Sequence, residues 1–300
     1  MSDAQITGTR SVAVPIASGV ASGTASRAAS GAARTGRPAP TLRHFLLSDA
    51  ASWIVPVALL LAWQIVSQTG LLPSNVLSAP SEVLDAAWRL TLNGELLANI
   101  AVSAKRAAIG FLIGGSLAFA FGLLNGVSRI GEKLTDTTFQ MIRNIPNLAM
   151  VPLVILWFGI EDSARVFLVA LGVFFPIYIN TYHGIRTADA QLVEMGRSYG
   201  MSNWELFRRV ILPGALPSIF VGLRYALGIM WLTLIVAETI AANSGIGYMA
   251  MSAREFMQLD VVVLSILLYA LLGKLADSIA RLLERTTLQW HPAFRVRREK

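Results

Sequence analysis

Long apolar stretches alternate with short charged segments along the chain from about residue 52 onwards. A helix needs about 20 apolar residues to cross a hydrocarbon layer that is about 30 Å thick. The pattern therefore predicts an all-α integral membrane protein with six transmembrane helices, over residues 52–68, 107–127, 147–160, 166–185, 218–240 and 261–280. The third stretch is short and contains Pro152, so we expect its true start nearer Asn144.

Small residues repeat at every fourth position of the second predicted span, at Gly110, Gly114, Ala118, Gly122 and Gly126. Four residues advance about 400° around an α-helix, so these positions form one slowly rotating ridge. One interpretation of this repeat is that glycine is common in membrane helices generally. We favour a second interpretation, in which the ridge is a packing seam where the backbone of another helix approaches closely.

Composition and charge narrow the class of protein. Hydrophobic residues make up 54% of the chain and charged residues 14%, with a mean hydropathy of +0.58 and no cysteine. These values exclude a water-soluble globule, a disordered chain, a disulfide scaffold and a thiolate zinc site. Residues 1–45 contain Asp3 as their only acid and lack periodicity, which predicts a disordered basic tail. The first strong apolar run begins near Trp53, too late for a secretory signal peptide.

The basic residues predict the orientation. Segments on one side of the predicted spans hold 18 Lys and Arg residues, and the alternate segments hold 5. Cytoplasmic loops carry the excess of Lys and Arg in membrane proteins. Both termini and residues 185–217 are therefore expected in the cytoplasm, and the net charge of +7 is assigned to loops rather than to a nucleic-acid surface.

The cytoplasmic segment between the fourth and fifth spans is about thirty residues long, which is unusual for a helix connection. Residues 191–199 and 202–210 are each predicted as a short helix, with a turn at Gly200. Ser202 and Glu205 have the spacing of a capping box. Three residues are expected to stop the second short helix before the fifth span: Pro213, Gly214 and Pro217. Such a pair of helices offers a projection to a cytoplasmic partner.

The same segment resembles the EAA loop of ABC importer permeases, whose pattern is E-A-A, x3, G, x9, I, x, L-P. The matching positions are Glu194, Met195, Gly196, Gly200, Val210, Leu212 and Pro213. Met195 and Gly196 stand in place of the two alanines, and Val210 in place of isoleucine. All three replacements are small or apolar, although Gly196 lowers the intrinsic helix propensity of the loop.

The resemblance covers residues 50–295, including ILPGALPS at 211–218 and WLTLIVAETI at 231–240. It is similar to the sulfonate, taurine and nitrate branch of these permeases, and most of all to aliphatic sulfonate permeases. The resemblance implies a type I ABC importer permease fold in the bacterial inner membrane. It also implies a homodimer with two cytoplasmic ATP-binding subunits and a periplasmic substrate-binding protein. Alkanesulfonate import for sulfur assimilation is the implied function, with taurine, nitrate or another small organic solute as alternatives.

On this basis the chain is divided into a basic tail (1–45), a first transmembrane helix with a periplasmic segment (46–96), the permease transmembrane domain (97–281) and a cytoplasmic C-terminal tail (282–300).

We expect no nucleotide site, because the Gly273-Lys274 pair lacks the rest of a P-loop. ATP and Mg²⁺ would bind to the partner ATPase, and this chain would have no cofactor or enzymatic activity. His44, His183 and His291 are too scattered for a metal site.

Polar and aromatic residues inside the predicted spans are candidates for the translocation pathway: Arg224, Trp231, Thr233 and Glu238. Arg224 could instead reach the inner interface or pair with another helix, and Trp231 could simply pack against lipid or a neighbour. Lys274 and Asp277 are three residues apart and are expected to pair with each other.

Two other classes of protein compete with this interpretation. An ion-driven secondary transporter would require midplane acids or interrupted helices in paired repeats. An integral membrane enzyme would require His, Asp or Glu clustered at one depth. The sequence shows neither pattern clearly.

Overall fold

The computed structural model describes residues 54–69 and 77–290, and within these ranges the chain is helical without any strand. The predicted tail at 1–45 and the last ten residues of the predicted C-terminal tail lie outside the described residues. The helices are α1 (Ile54–Gln68), α2 (Pro80–Leu92), α3 (Glu95–Val127), α4 (Arg129–Arg143), α5 (Val151–Phe158), α6 (Asp162–Arg186), α7 (Ala190–Ser198), α8 (Asn203–Leu206), α9 (Leu212–Ala241), α10 (Ile246–Glu255) and α11 (Leu259–Thr287).

Four helices of the described chain are long and apolar enough to cross a bilayer: α3, α6, the continuous helix Asn203–Ile240 and α11. A fifth span forms if α4 is taken together with Asn147–Phe158, to which it is joined at a bend of 83°. The helix α1 is apolar but has 15 residues, which at 1.5 Å per residue is about 22 Å. Each of the six predicted segments thus contains a helix within its described residues, and four or five of them reach the length of a span.

The segment before the third predicted span is also helical. Residues 129–143, expected in a cytoplasmic connection, form α4, which packs along the C-terminal half of α6. Phe139 of α4 lies 5.5 Å from Phe174 and 4.8 Å from Tyr178, ring centre to ring centre. Pro146 ends the regular helix because proline lacks an N–H and disfavours a helical conformation in the residue before it. A 3₁₀ turn, Asn147–Met150, then leads into α5.

The expected break before the fifth span is absent. The chain continues as a helix from Asn203 to Ile240, with Pro213 in the first turn of α9 and Pro217 inside it. A π-helical segment, Phe207–Ile211, lies immediately before these prolines. Such local widening accommodates a proline whose missing N–H leaves a carbonyl unpaired. The second short helix of the loop is therefore the first part of the fifth span.

The helix α6 lies between α3 and α9 and forms the centre of the bundle. The small residues of α3 face it, so that a β-carbon on Gly114 would lie 2.2 Å from the Ala170 carbonyl oxygen. On the other side, a β-carbon on Gly222 of α9 would lie 2.8 Å from the Pro176 carbonyl oxygen. The predicted packing seam of the second span is confirmed, and its partner is α6.

We predict that Gly114→Ala lowers the thermal stability of the purified protein, because the added methyl group must push α3 away from α6. Overpacking of this kind costs roughly 1–3 kcal/mol, more than the ~1 kcal/mol by which alanine favours a helix over glycine. Gly228 of α9 has no atom within 4 Å of its virtual β-carbon, so Gly228→Ala is the matched control. Thermal unfolding in detergent measures both, and a Gly114→Ala protein as stable as the control would contradict the seam.

Candidate functional site

Two hydrogen-bond motifs fix the corner between α7 and α8 in the loop that resembles the EAA segment. Gly200 has a φ of +75°, and the Met201 N–H donates to the Gly196 carbonyl at 3.1 Å, which together form a Schellman motif. In the capping box, the Glu205 N–H donates to Ser202 Oγ and the Ser202 N–H donates to the Glu205 carboxylate. The predicted turn and cap are both confirmed, and they make the loop a defined projection.

The outer face of this projection is apolar. Its exposed large side chains are Leu192, Met195, Tyr199 and Trp204, of which Tyr199 is 80% exposed. Gly196 is buried against Leu206, whose side chain lies 2.7 Å from the position of a β-carbon on the glycine. Glycine thus allows the two short helices to touch at this position. Glu194 is exposed on α7, whereas Val210, Leu212 and Pro213 are half-buried where α9 begins.

Arg224 forms ion pairs between two helices. Its guanidinium contacts Asp277 at 3.2 Å and Glu284 at 3.5 Å, both on α11. The expected pair between Lys274 and Asp277 is wrong, because Asp277 contacts Arg224 and, one helical turn along α11, Arg281. Arginine reaches carboxylates with a planar fork of donors, which suits it to bridging two helices.

Trp231 and Thr233 lie inside the bundle. Trp231 is 9% exposed and packs edge-on against Tyr269 at 6.2 Å between ring centres. Thr233 is buried, and its hydroxyl oxygen lies 2.8 Å from the position of a β-carbon on Gly172 of α6. Within this chain Trp231 therefore packs against a neighbouring helix, and Thr233 lies at a close contact between α6 and α9.

Glu238 is the centre of a buried polar cluster at the α10 end of the bundle. Its carboxylate accepts hydrogen bonds from the Ser103 hydroxyl at 2.7 Å, the Tyr269 hydroxyl at 2.9 Å and the Gly247 N–H at 3.0 Å. Arg106 adds an ion pair at 2.8 Å. The Glu238 side chain has no exposed surface, so in the single chain it does not face an open path.

Arg106 extends this cluster across the fold. It lies 2.6 Å from Asp162 at the start of α6, and it donates to the carbonyl and the hydroxyl of Ser244, which precedes α10. Arg165 pairs with the same Asp162 at 3.1 Å. Two guanidinium groups and two carboxylates therefore balance one another. The cluster joins α3, α6, α9, α10 and α11 and leaves no surplus charge for a ligand.

Sequence reasoning missed Arg106 because it lies immediately before the predicted second span and was counted as a loop charge. The helix α3 begins at Glu95 and includes it. The signal available was Ser103 and Arg106, which are three residues apart and therefore share a face of any helix extended in that direction. Among the described residues, no group of His, Cys, Asp and Glu could hold a metal ion.

Comparison with known proteins gives consistent matches over most of the chain. The sequence profile of the binding-protein-dependent transport system inner membrane component matches residues 110–289. The SsuC permease protein of Escherichia coli (strain K12), named for aliphatic sulfonates transport, is 62% identical over 251 residues, which is 84% of this chain and 95% of that protein. SsuC of Bacillus subtilis (strain 168) is 43% identical over 241 residues, 80% of this chain and 87% of that protein.

A solved amino acid ABC transporter shares the fold. Its crystal structure, determined with histidines, aligns with a TM-score of 0.56 and 18% identity, covering 67% of this chain and 97% of that one. At this identity the match supports the fold alone.

We predict that Arg106→Met destabilises the protein by about 3–5 kcal/mol, because it leaves Glu238 charged and buried without its cation. The exposed pair between Arg89 and Asp260 is the control, since it has the same N–O distance of 2.8 Å but an Arg89 side chain that is 67% exposed. Such surface pairs contribute about 0–1 kcal/mol, so Arg89→Met should have little effect. Denaturation of both variants in detergent gives the comparison, and equal losses would argue against the anchoring role of the cluster.

Proposed function

The chain belongs to the family of binding-protein-dependent transport system inner membrane components, as an ABC importer permease of the sulfonate transport family, and on this premise we propose that it moves aliphatic sulfonates across the inner membrane. The predicted family and all-α permease fold are confirmed. In this proposal, ATP and Mg²⁺ bind to a partner ATPase subunit, whose hydrolysis of ATP drives transport. This chain itself provides the membrane path and has no cofactor or catalytic site.

The observation that carries the proposal is the projecting loop with its exposed apolar side chains. Large apolar side chains exposed together on a polar-rimmed surface mark a protein interaction site. Tyr199 and Trp204 flank the turn at Gly200, and both are held by the capped ends of α7 and α8. We assign this surface to the cytoplasmic ATPase, with Glu194, Met195 and Gly196 on the first short helix and Val210, Leu212 and Pro213 at the start of α9.

The continuity of α8 with α9 supplies a route for coupling. A displacement of the loop acts on a helix that runs from Asn203 to Ile240, so it need not pass through a flexible linker. Two permease copies with two ATPase subunits would alternate between inward-facing and outward-facing states by rigid-body movement. A periplasmic binding protein would deliver the substrate to the opposite face. The candidate pathway residues move with these helices: Arg224, Trp231, Thr233 and Glu238. Contact between any of them and the substrate stays a prediction.

The proposed orientation places both termini and the loop in the cytoplasm. It rests on the 18-to-5 split of Lys and Arg residues over the segments between the predicted spans.

The substrate is tested by growth on single sulfur or nitrogen sources. A strain lacking the gene should fail to grow on ethanesulfonate and recover when the gene is restored, while growth on sulfate is unaffected. Failure on taurine or nitrate instead would reassign the substrate within the same machinery. Normal growth on every source, in a strain without a redundant importer, would refute the proposed substrate class.

We predict that Gly200→Leu abolishes transport and the coupling of ATP hydrolysis to substrate while membrane insertion persists. Gly200 has no atom within 4 Å of its virtual β-carbon but has a φ of +75°, so the substitution strains the backbone without a steric clash. A left-handed conformation costs most residues about 1–2 kcal/mol, enough to reshape an exposed turn. Substrate-stimulated ATPase activity of the reconstituted complex is the measurement.

Two controls separate coupling from general strain. Gly200→Asn should retain activity, since asparagine tolerates this conformation. Gly94 has a φ of +74° and equally open space, but it lies between α2 and α3, away from the loop. Gly94→Leu should therefore leave coupling intact. Normal stimulated hydrolysis in Gly200→Leu would refute the coupling role of the loop.

A further inference from the structure

The helix α4 has three distinct faces. One face packs on the bundle through Thr135 and Phe139. The second is apolar and exposed, with Ile130, Leu134 and Met141. The third is polar, and its members recur at spacings of three or four residues: Arg129, Lys133, Asp136, Gln140 and Arg143. At about 100° per residue, these five positions fall within about 80° of arc around the helix. Going around the helix, the packed face lies between this polar face and the exposed apolar face.

The polar face reaches the middle of α6. Glu132, near the start of α4, contacts Tyr182 and Arg186 at the end of α6. Arg143, at the other end of α4, borders the same cavity as Phe175. Phe175 lies thirteen residues after the start of α6 and eleven before its end, roughly 20 Å and 17 Å along the helix axis at 1.5 Å per residue. The polar face therefore extends from one end of α6 to its midpoint.

A cavity of about 190 Å³ lies between this face and α6. Arg143 and Gln140 form its polar wall at the midpoint of α6, and Phe139, Phe175 and Ile179 form its apolar wall. Asp136 lines the end nearer the terminus of α6, where Tyr182 and His183 also border the cavity. The volume is below the ~300–1,000 Å³ of sites for drug-sized ligands, so a small solute fits it better.

Lipid is an unsuitable neighbour for this face. An arginine that faces hydrocarbon at the bilayer centre costs at least ~2.5–3.5 kcal/mol. Irregular backbone at that depth, such as the bend at Asn144–Pro146, also occurs only against protein or water. Within the described part of the chain, Arg143 has neither a hydrogen bond nor an ion pair, whereas the Gln140 amide donates weakly to Asp136 at 3.4 Å. Asp136 lies seven residues earlier on α4, about 10 Å along its axis, too far to neutralise it.

We propose that this cavity is a binding subsite for a small organic anion in the membrane path, in which Arg143 and Gln140 receive the anionic group and Phe139, Phe175 and Ile179 contact the aliphatic part. The inference rests on the proposed function for the identity of the ligand, and it adds a site absent from the pathway residues expected from the sequence. Arginine recognises sulfonate-like oxygens through paired N–H donors. The adjoining apolar wall removes the hydrocarbon part of the ligand from water.

Thiol modification tests the cavity without requiring transport. The chain has no cysteine, so Gln140→Cys introduces the one reactive thiol in this subunit. The probes are the anionic sulfonatoethyl and the cationic trimethylammonioethyl methanethiosulfonates, applied to the reconstituted complex and followed by mass spectrometry of this chain. The labelling rate with each probe is divided by the rate of the same probe with free cysteine. We expect the ratio of these normalised rates, anionic over cationic, to be about ten, which is the lower end of the range for electrostatic focusing in charged clefts.

Three variants decide the result. In the Gln140→Cys background, Arg143→Gln should bring the normalised ratio close to unity, and Arg143→Lys should retain the preference for the anion. Leu134→Cys on the apolar face should react with neither probe. An unreactive Gln140→Cys would show that lipid or the second copy covers the cavity and would overturn the proposal. So would a ratio that Arg143→Gln leaves unchanged, or equal labelling of Leu134→Cys.

A transport measurement separates this subsite from the proposed function. Arg143→Gln should lower ethanesulfonate uptake at least about tenfold, whereas Arg129→Gln, at the far end of the same face, should stay within twofold of wild type. Co-purification with the ATPase subunit checks that each variant assembles. Absence of ethanesulfonate uptake by the wild-type complex would refute the substrate, while the labelling ratios would still decide whether the cavity selects anions.

Discussion

The lack of water in the bilayer core is the constraint on which the rest of this structure depends. Every buried charge and every irregular stretch of backbone at that depth must find its partner within the protein or in an aqueous path. The cluster around Glu238 satisfies this requirement internally, because Arg106, Ser103 and Tyr269 surround the carboxylate. Arg224 satisfies it by reaching Asp277 on the neighbouring helix. Among the described residues, Arg143 on the polar face of α4 has no such partner, and Gln140 reaches only Asp136 of the same face, which is why an aqueous path is expected there.

Close packing around α6 makes these partnerships possible. The helices α3 and α9 approach its backbone at Gly114 and Gly222, where larger residues would not fit. This close approach brings Ser103 and Arg106 of α3 within hydrogen-bond distance of Glu238 on α9. Gly245 and Gly247 extend the same principle, since a β-carbon on either would lie 2.5 Å from Glu238. Small residues thus create the space in which charged residues can pair.

Most of the fold was predictable from the sequence, because apolar length and the spacing of small residues depend on local properties. The seam at Gly114, the turn at Gly200 and the cap at Ser202 are of this kind. The errors arose where tertiary contacts override local rules. Pro213 does not end a helix that is widened just before it, and Asp277 pairs across helices rather than with Lys274. The charges of α4 concealed a helix, because a hydropathy criterion does not distinguish an amphipathic helix with one charged face from a loop.

The position of α9 connects the two ends of the molecule. Its continuation through α8 begins at the projecting loop, and Glu238 lies near its other end, more than thirty residues away. A helix of this length is about 50 Å long, enough to traverse the bilayer. Because Glu238 binds α3, α10 and α11 together, a movement imposed on the loop reaches a cluster that contacts most of the bundle. The proposed coupling therefore requires no separate relay, since one helix carries both the docking surface and the anchor that the other helices share.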